Sequence, residues 1–370
     1  MPLILVDTPP ALAACLERLR TAQTLAIDTE ADSFHSYFHR TCLLQISSED
    51  VDYVLDPLVI DPMPLGPLFA DPGVEKIMHA AENDIRALKR DYGFSFRTLF
   101  DTMVAARLLG YPRWGLADLL RDAFGVELDK RYQRFDWSQR PLPAPALQYA
   151  ALDTHYLPAL RDRLHAELEQ RGLLEEAEDA FAALEQTPPA ESGFDPEDFW
   201  RVKGAYDLEA AQRPALRELY KLRDDLARRS NRPPFRVLAD ATLIALARTA
   251  PRDQRALEQI PGMTPYLVQR FGRAILAALA RAEAMPPIAV LRTRRDDAAM
   301  ARYDALRAWR NARAAARHVE GDVILGNSVL RALAAAPPRD RGALSASGLL
   351  SPWKLKTYGD EILAVLARQR

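Results

Sequence analysis

The second half of the chain repeats itself at a constant spacing of 87 residues, and no other feature restricts the fold so tightly. Leu222-Arg223 recur as Trp309-Arg310, Val237 as Ile324, Asp240 as Asn327 and Leu246 as Leu333. Further on, Pro251 recurs as Pro338, Phe271-Gly272 as Tyr358-Gly359 and Ile275-Leu276 as Ile362-Leu363. A register held over that length without a gap marks two copies of one structural unit. Two copies of a small all-helical domain are therefore expected, over 211–291 and 298–370.

The first half follows another pattern. Residues 24–30, 41–48 ("TCLLQISS") and 51–56 read as short strands joined tightly enough to be antiparallel. "EKIMHA" (75–80) reads as a fourth strand, and the helical pattern "ENDIRALKRDYG" after it closes on Gly93. From there to about residue 185 the periodicity is helical. A three-strand meander followed by β/α units is the order of a ribonuclease-H-like α/β fold. The Pro- and acid-rich stretch "EQTPPAESGFDPEDF" (185–199) reads as a linker, which is expected over 186–210.

Charge divides along the same boundary. Residues 211–370 carry 29 Lys and Arg against 15 Asp and Glu, whereas residues 1–210 carry 20 against 36. An acidic half and a basic half suit a chain that holds cations in one part and attracts a polyanion with the other. Two cysteines, Cys15 and Cys42, are too few for a disulfide framework or a thiolate zinc site. No apolar run approaches the ~20 residues of a membrane span, and "MPLILVDTPP" lacks the basic start of a signal peptide. A cytoplasmic protein without a membrane partner is expected.

The sharpest chemical feature is "TLAIDTEADSFHSY" (24–37), an apolar strand that ends in Asp28 and Glu30. Alternate residues of a strand share a face, so the two carboxylates lie side by side. Their repulsion and lost hydration need an answer: a divalent cation, an arginine or open water. Asp-x-Glu recurs at Asp195/Glu197 and Asp207/Glu209, but only Asp28/Glu30 ends an apolar strand. Tyr149 and Asp153 lie four apart in an apolar helical stretch, "LQYAALDTHYL", and so on one helix face. Between the two pairs, "HAAENDI" sets Asp84 at a strand-to-helix junction, with Glu82 close enough that spacing alone admits either acid.

Taken together, "DTE" (28–30), "HAAEND" (79–84), "LDKRYQRFDWSQRPL" (128–142), "QYAALD" (148–153) and the tandem repeats resemble the ribonuclease D family, whose members are DEDDy 3′→5′ exonucleases with HRDC domains. The resemblance spans nearly the whole chain. It implies an exonuclease domain over 1–185, followed by the two HRDC-like helical bundles. It also implies that Asp28, Glu30, Asp84 and Asp153 bind two divalent cations and that Tyr149 positions the attacking water. Hard oxygen ligands suit Mg²⁺ or Mn²⁺ better than Zn²⁺. The implied activity is trimming of RNA 3′ ends, tRNA precursors among them, to nucleoside 5′-monophosphates. A DNA exonuclease of the same class and an inactive nucleic-acid-binding scaffold are the alternatives.

A polymer must also be held. "DKRYQRFDWSQR" interleaves Lys130, Arg131, Arg134 and Arg140 with Tyr132, Phe135 and Trp137, a mixture suited to a single strand. Phe34, His35 and Tyr37 follow the Asp-x-Glu strand closely and are expected at the 3′-end pocket. The cations of the repeats, Arg223, Arg228, Arg229, Arg232 and Arg236 among them, are further candidates for phosphate contacts.

Overall fold

The structure, a computed structural model, describes residues 2–48, 51–190, 193–290 and 296–369. Its sheet has six strands: β1 (Leu3–Val6), β2 (Thr24–Ala31), β3 (Thr41–Ser48), β4 (Val51–Leu55), β5 (Glu75–Met78) and β6 (Leu99–Asp101), in the order β1-β4-β3-β2-β5-β6. β2–β3 and β3–β4 are antiparallel, as the tight connections require. β1 runs parallel to β4, β5 to β2 and β6 to β5. The mixed sheet with helices on its faces is the α/β architecture expected from the order of elements.

Two apolar layers sandwich the central strands. On one side Leu25, Ile27, Leu44 and Ile46 pack against the helix Glu82–Tyr92 through Ile85 and Leu88. On the other, Leu43 and Val54 pack against Ala146 and Ala150 of the helix Ala144–His155. A register shift at Glu30/Ala31 pairs Glu30 with Leu43 but Ala31 with Thr41, leaving Cys42 as the extra residue of a bulge.

The chain forms two compact units. One joins Met1–Ala31, Thr41–Ala190 and Arg294–Arg370, so the second helical repeat belongs to the body that carries the sheet. Arg317 on that repeat makes a two-pronged bond to Glu176, at 2.8 and 2.6 Å, and Glu176 is 2% exposed. Arg107 bonds to Glu320 and Asp322, and Asp179 accepts from the Trp353 amide and the Ser351 hydroxyl. The other unit holds Asp32–Arg40 and Glu191–Thr293, including the first repeat. Part of the stretch expected to be a linker is ordered here: Phe199, Val202, Ala205 and Leu208 are buried in the core of the first repeat. These apolar residues find a helical partner surface, which outweighs the acidic composition around them.

The repeat is exact in its internal bonds. Arg223 donates Nη1 to the Leu238 carbonyl at 3.2 Å and to Asp240 at 2.6 Å. Arg310 donates to the Leu325 carbonyl at 3.2 Å and to Asn327 at 2.7 Å. Both arginines are largely buried, so they hold each bundle together from within and are unavailable to a phosphate. That corrects the expectation for Arg223.

Candidate active site

β2 pairs with β5 only from Thr24 to Ala26, so Asp28 and Glu30 project beyond the end of the neighbouring strand. The carboxyl end of a parallel strand, where a connection turns away, is where open α/β sheets form sites. The helix Ala144–His155 covers this end, and Tyr149 and Asp153, one turn apart, face it; each is 8% exposed. Carboxylate oxygens of Asp28, Glu30 and Asp153 come within 4.8 Å of one another.

The fourth acid comes from the opposite layer. Asp84 lies in the first turn of Glu82–Tyr92, where the helix dipole favours an anion, and it accepts the Thr29 hydroxyl. Glu82, one position into the same turn, points outward and pairs with Arg86 at 3.3 Å, its side chain 62% exposed. The junction before it is held by Asp101, which is buried. Asp101 accepts from the amides of Ala80 (3.2 Å) and Ala81 (2.7 Å) and from those of Met103 and Val104 (2.8 and 3.0 Å). Ala80 sits at φ 57°, a left-handed conformation that these bonds enforce. Asp101 precedes the helical pattern of 102–108 and is legible in sequence as a helix cap. Thr29 carries no comparable signal.

Four acids packed so closely resist ionisation. Burial first, then the charges of Asp153 and Asp84, push Glu30 up to about 9. Asp153 is raised to about 7 by burial and by Asp84. Asp28 is raised well above the carboxylate range by burial, then by Asp84, Asp153 and Glu30. Tyr149 is pushed above its ordinary value by burial and then by Asp153, Glu30 and Asp28, so its hydroxyl keeps its proton. In the ionised state, cations placed among these oxygens offset such repulsion; without them the acids retain protons. The donors are all oxygen; the nearby His79 is held down to about 4 by burial and bonds to Thr102 at 2.9 Å. The set is a candidate site for hard divalent metals.

The segment expected to grip the polymer is largely inward. Trp137 is 1% exposed and its ring stacks near Tyr149, centroids 6.2 Å apart, with Tyr132 at 5.5 Å on the same tyrosine. Trp137 is therefore core and cannot stack on a base; burying a ring of that size outweighs any exposed role. Arg140 is also structural. It bonds to Asp56 (2.7 Å) and to the carbonyls of Cys42, Trp137 and Gln139 (2.9, 2.7 and 2.6 Å), so its donors are spent. Arg131 is exposed and paired with Asp129 at 2.6 Å, and Arg134 is exposed too. The side chain of Lys130 lies outside the described residues. Phe34, His35 and Tyr37 belong to the unit of the first repeat. There Tyr37 donates to Asp224 at 2.7 Å beneath the Arg228 guanidinium, and Phe34 is half exposed.

With this geometry in view, a family model described as "3'-5' exonuclease" matches residues 3–169, and the HRDC domain matches twice, at 212–279 and 299–366. Ribonuclease D of Gluconacetobacter diazotrophicus is 33% identical over 369 residues, covering 98% of this chain and 92% of its own length. The exosome complex component 10 homolog of Caenorhabditis elegans is 34% identical over 290 residues, 76% of this chain, which spans only 33% of that protein. Among solved structures, Escherichia coli RNase D covers 100% of the chain and 99% of its own with a TM-score of 0.73; at 24% identity it speaks for the fold alone.

Proposed function

This chain belongs to the ribonuclease D family and is a 3′→5′ exoribonuclease, and from that premise we propose that it trims the 3′ ends of structured RNAs, tRNA precursors among them, releasing nucleoside 5′-monophosphates in the cytoplasm. The observation that carries the reading is the convergence of Asp28, Glu30 and Asp153 within 4.8 Å, with Asp84 tethered beside them by Thr29. Asp28, Glu30, Asp84 and Asp153 would hold two divalent cations, Mg²⁺ or Mn²⁺. When bound, such ions neutralise phosphate charge and lower the pKa of water at the scissile bond. The protein's own residues do the rest. Tyr149, still protonated, donates a hydrogen bond that orients water rather than taking a proton from it. Tyr132 and Trp137 fix the ring of Tyr149 in that direction. Arg131 and Arg134, both exposed, are the phosphate contacts we retain from the basic segment.

The test is hydrolysis of a 3′-labelled single-stranded RNA beside the matching DNA, with Mn²⁺ or Mg²⁺, an EDTA control and Asp28→Asn. Mononucleotide release from RNA, abolished by EDTA and by the substitution, is the expected result. Equal cleavage of DNA would keep the chemistry and overturn the RNA preference.

A further inference from the structure

Gln45 is fully buried, yet neither the nitrogen nor the oxygen of its side-chain amide has a hydrogen-bond partner. Buried amides are normally satisfied, because an unpaired one forfeits its bonds to water. Its place in the sheet says what it faces. Gln45 stands directly across from Asp28 in the antiparallel pairing of β2 and β3. Residues so paired share a face, with Cβ atoms about 4.5–5.5 Å apart. Along the same face of β3, Leu43 is packed in the apolar cluster under the helix Ala144–His155. Ser47 is bonded to Asp52 at 2.6 Å and to Thr154 at 2.7 Å. Gln45, between them, has neither an apolar side chain nor a polar partner.

An apolar residue at 45 would pack under the alanines of that helix without this cost. The amide therefore answers to something other than the packing of the protein alone. Metal-ligating carboxylates are themselves hydrogen-bonded by neighbours that fix their orientation. Asp84 has such a neighbour in Thr29. We propose that Gln45 is a positioning residue for the cation site, its side-chain N–H donating to the Asp28 carboxylate and fixing the direction in which that carboxylate meets a divalent cation. The inference rests on the reading of the four acids as cation ligands.

Two variants of similar volume, Gln45→Met and Gln45→Leu, remove the amide and keep the packing. Mn²⁺ binding to the full chain is read by electron paramagnetic resonance without RNA, beside melting in EDTA and in Mn²⁺ and kinetics on single-stranded RNA. The expected result is an unchanged or higher melting temperature in EDTA, Mn²⁺ affinity weaker by about 10–100-fold, kcat lowered in parallel, and an unchanged KM for RNA. Mn²⁺ affinity and kcat within about twofold of the parent would overturn the proposal. So would failure of both variants to fold in EDTA, because the amide would then serve the fold itself. A parent chain that binds no Mn²⁺ would overturn the cation reading and this inference with it.

Discussion

Arg140 and Arg131 lie in the same short basic segment, yet one closes a buried pair and the other meets water. Removing one partner of a buried pair strands the other. Arg140→Met should therefore lower stability by about 3–5 kcal/mol in urea unfolding, leaving Asp56 uncompensated, with no change in the salt dependence of RNA binding. Arg131→Ala should shift stability by less than about 0.5 kcal/mol. It should reduce the slope of log K against log salt for single-stranded RNA by about 0.7. The acids make a third prediction. Glu30 is raised from 4.5 to about 9, so the folded, metal-free protein holds a proton there that the unfolded chain releases. That contribution is complete below pH 4.5 and is lost as pH rises through 9. The melting temperature in EDTA should accordingly fall between those limits. Mn²⁺ should reverse the fall at the alkaline end, and Glu30→Gln should flatten the profile in EDTA.

At the scale of elements, the site depends on how one turn is fastened. Asp101 gathers four amides, two at the junction that leads to Asp84 and two at the helix Thr102–Leu108. Asp101→Ala loses the helix cap, worth about 1 kcal/mol, and strands two junction amides as well. A loss of at least ~2 kcal/mol in urea unfolding is expected, together with weaker Mn²⁺ binding as Asp84 drifts. The long elements were legible in sequence because their apolar periodicity is local: β2, β3, β4 and the helix after β5 follow it closely. β1 and β6 were not, since strands of 4 and 3 residues take their identity from parallel partners far along the chain. The basic aromatic segment misled for a related reason. Its composition is that of a strand-binding surface, but Trp137 and Tyr132 are spent on Tyr149, and only a three-dimensional neighbour reveals that. The repeat was fully legible, because spacing in sequence needs no partner in space.

Over the whole molecule the two repeats, alike in their internal arginine clasps, are used differently. The second is fastened to the nuclease body through Glu176 and Arg317, while the first forms a unit with residues 32–40. Arg317→Met should cost about 3–5 kcal/mol and hasten proteolysis of the nuclease body, whereas a charge swap of the two partners, Glu176→Arg with Arg317→Glu, should recover part of the loss. Thermal unfolding of the parent, Glu176→Arg, Arg317→Glu and the double variant in parallel measures the coupling. The body's three segments also fix an order of events at the ribosome. At about 5–20 residues per second, the sheet and its acids emerge first, and the segment that supplies Arg317 follows only after the first repeat has been made. For roughly seven to thirty seconds the nascent enzyme carries Glu176 without its counter-charge, and an interrupted translation product never acquires one. A chain interrupted before Arg317 therefore lacks the bond that fastens the second repeat to the body, so completion of the repeat and fastening of the body are one event.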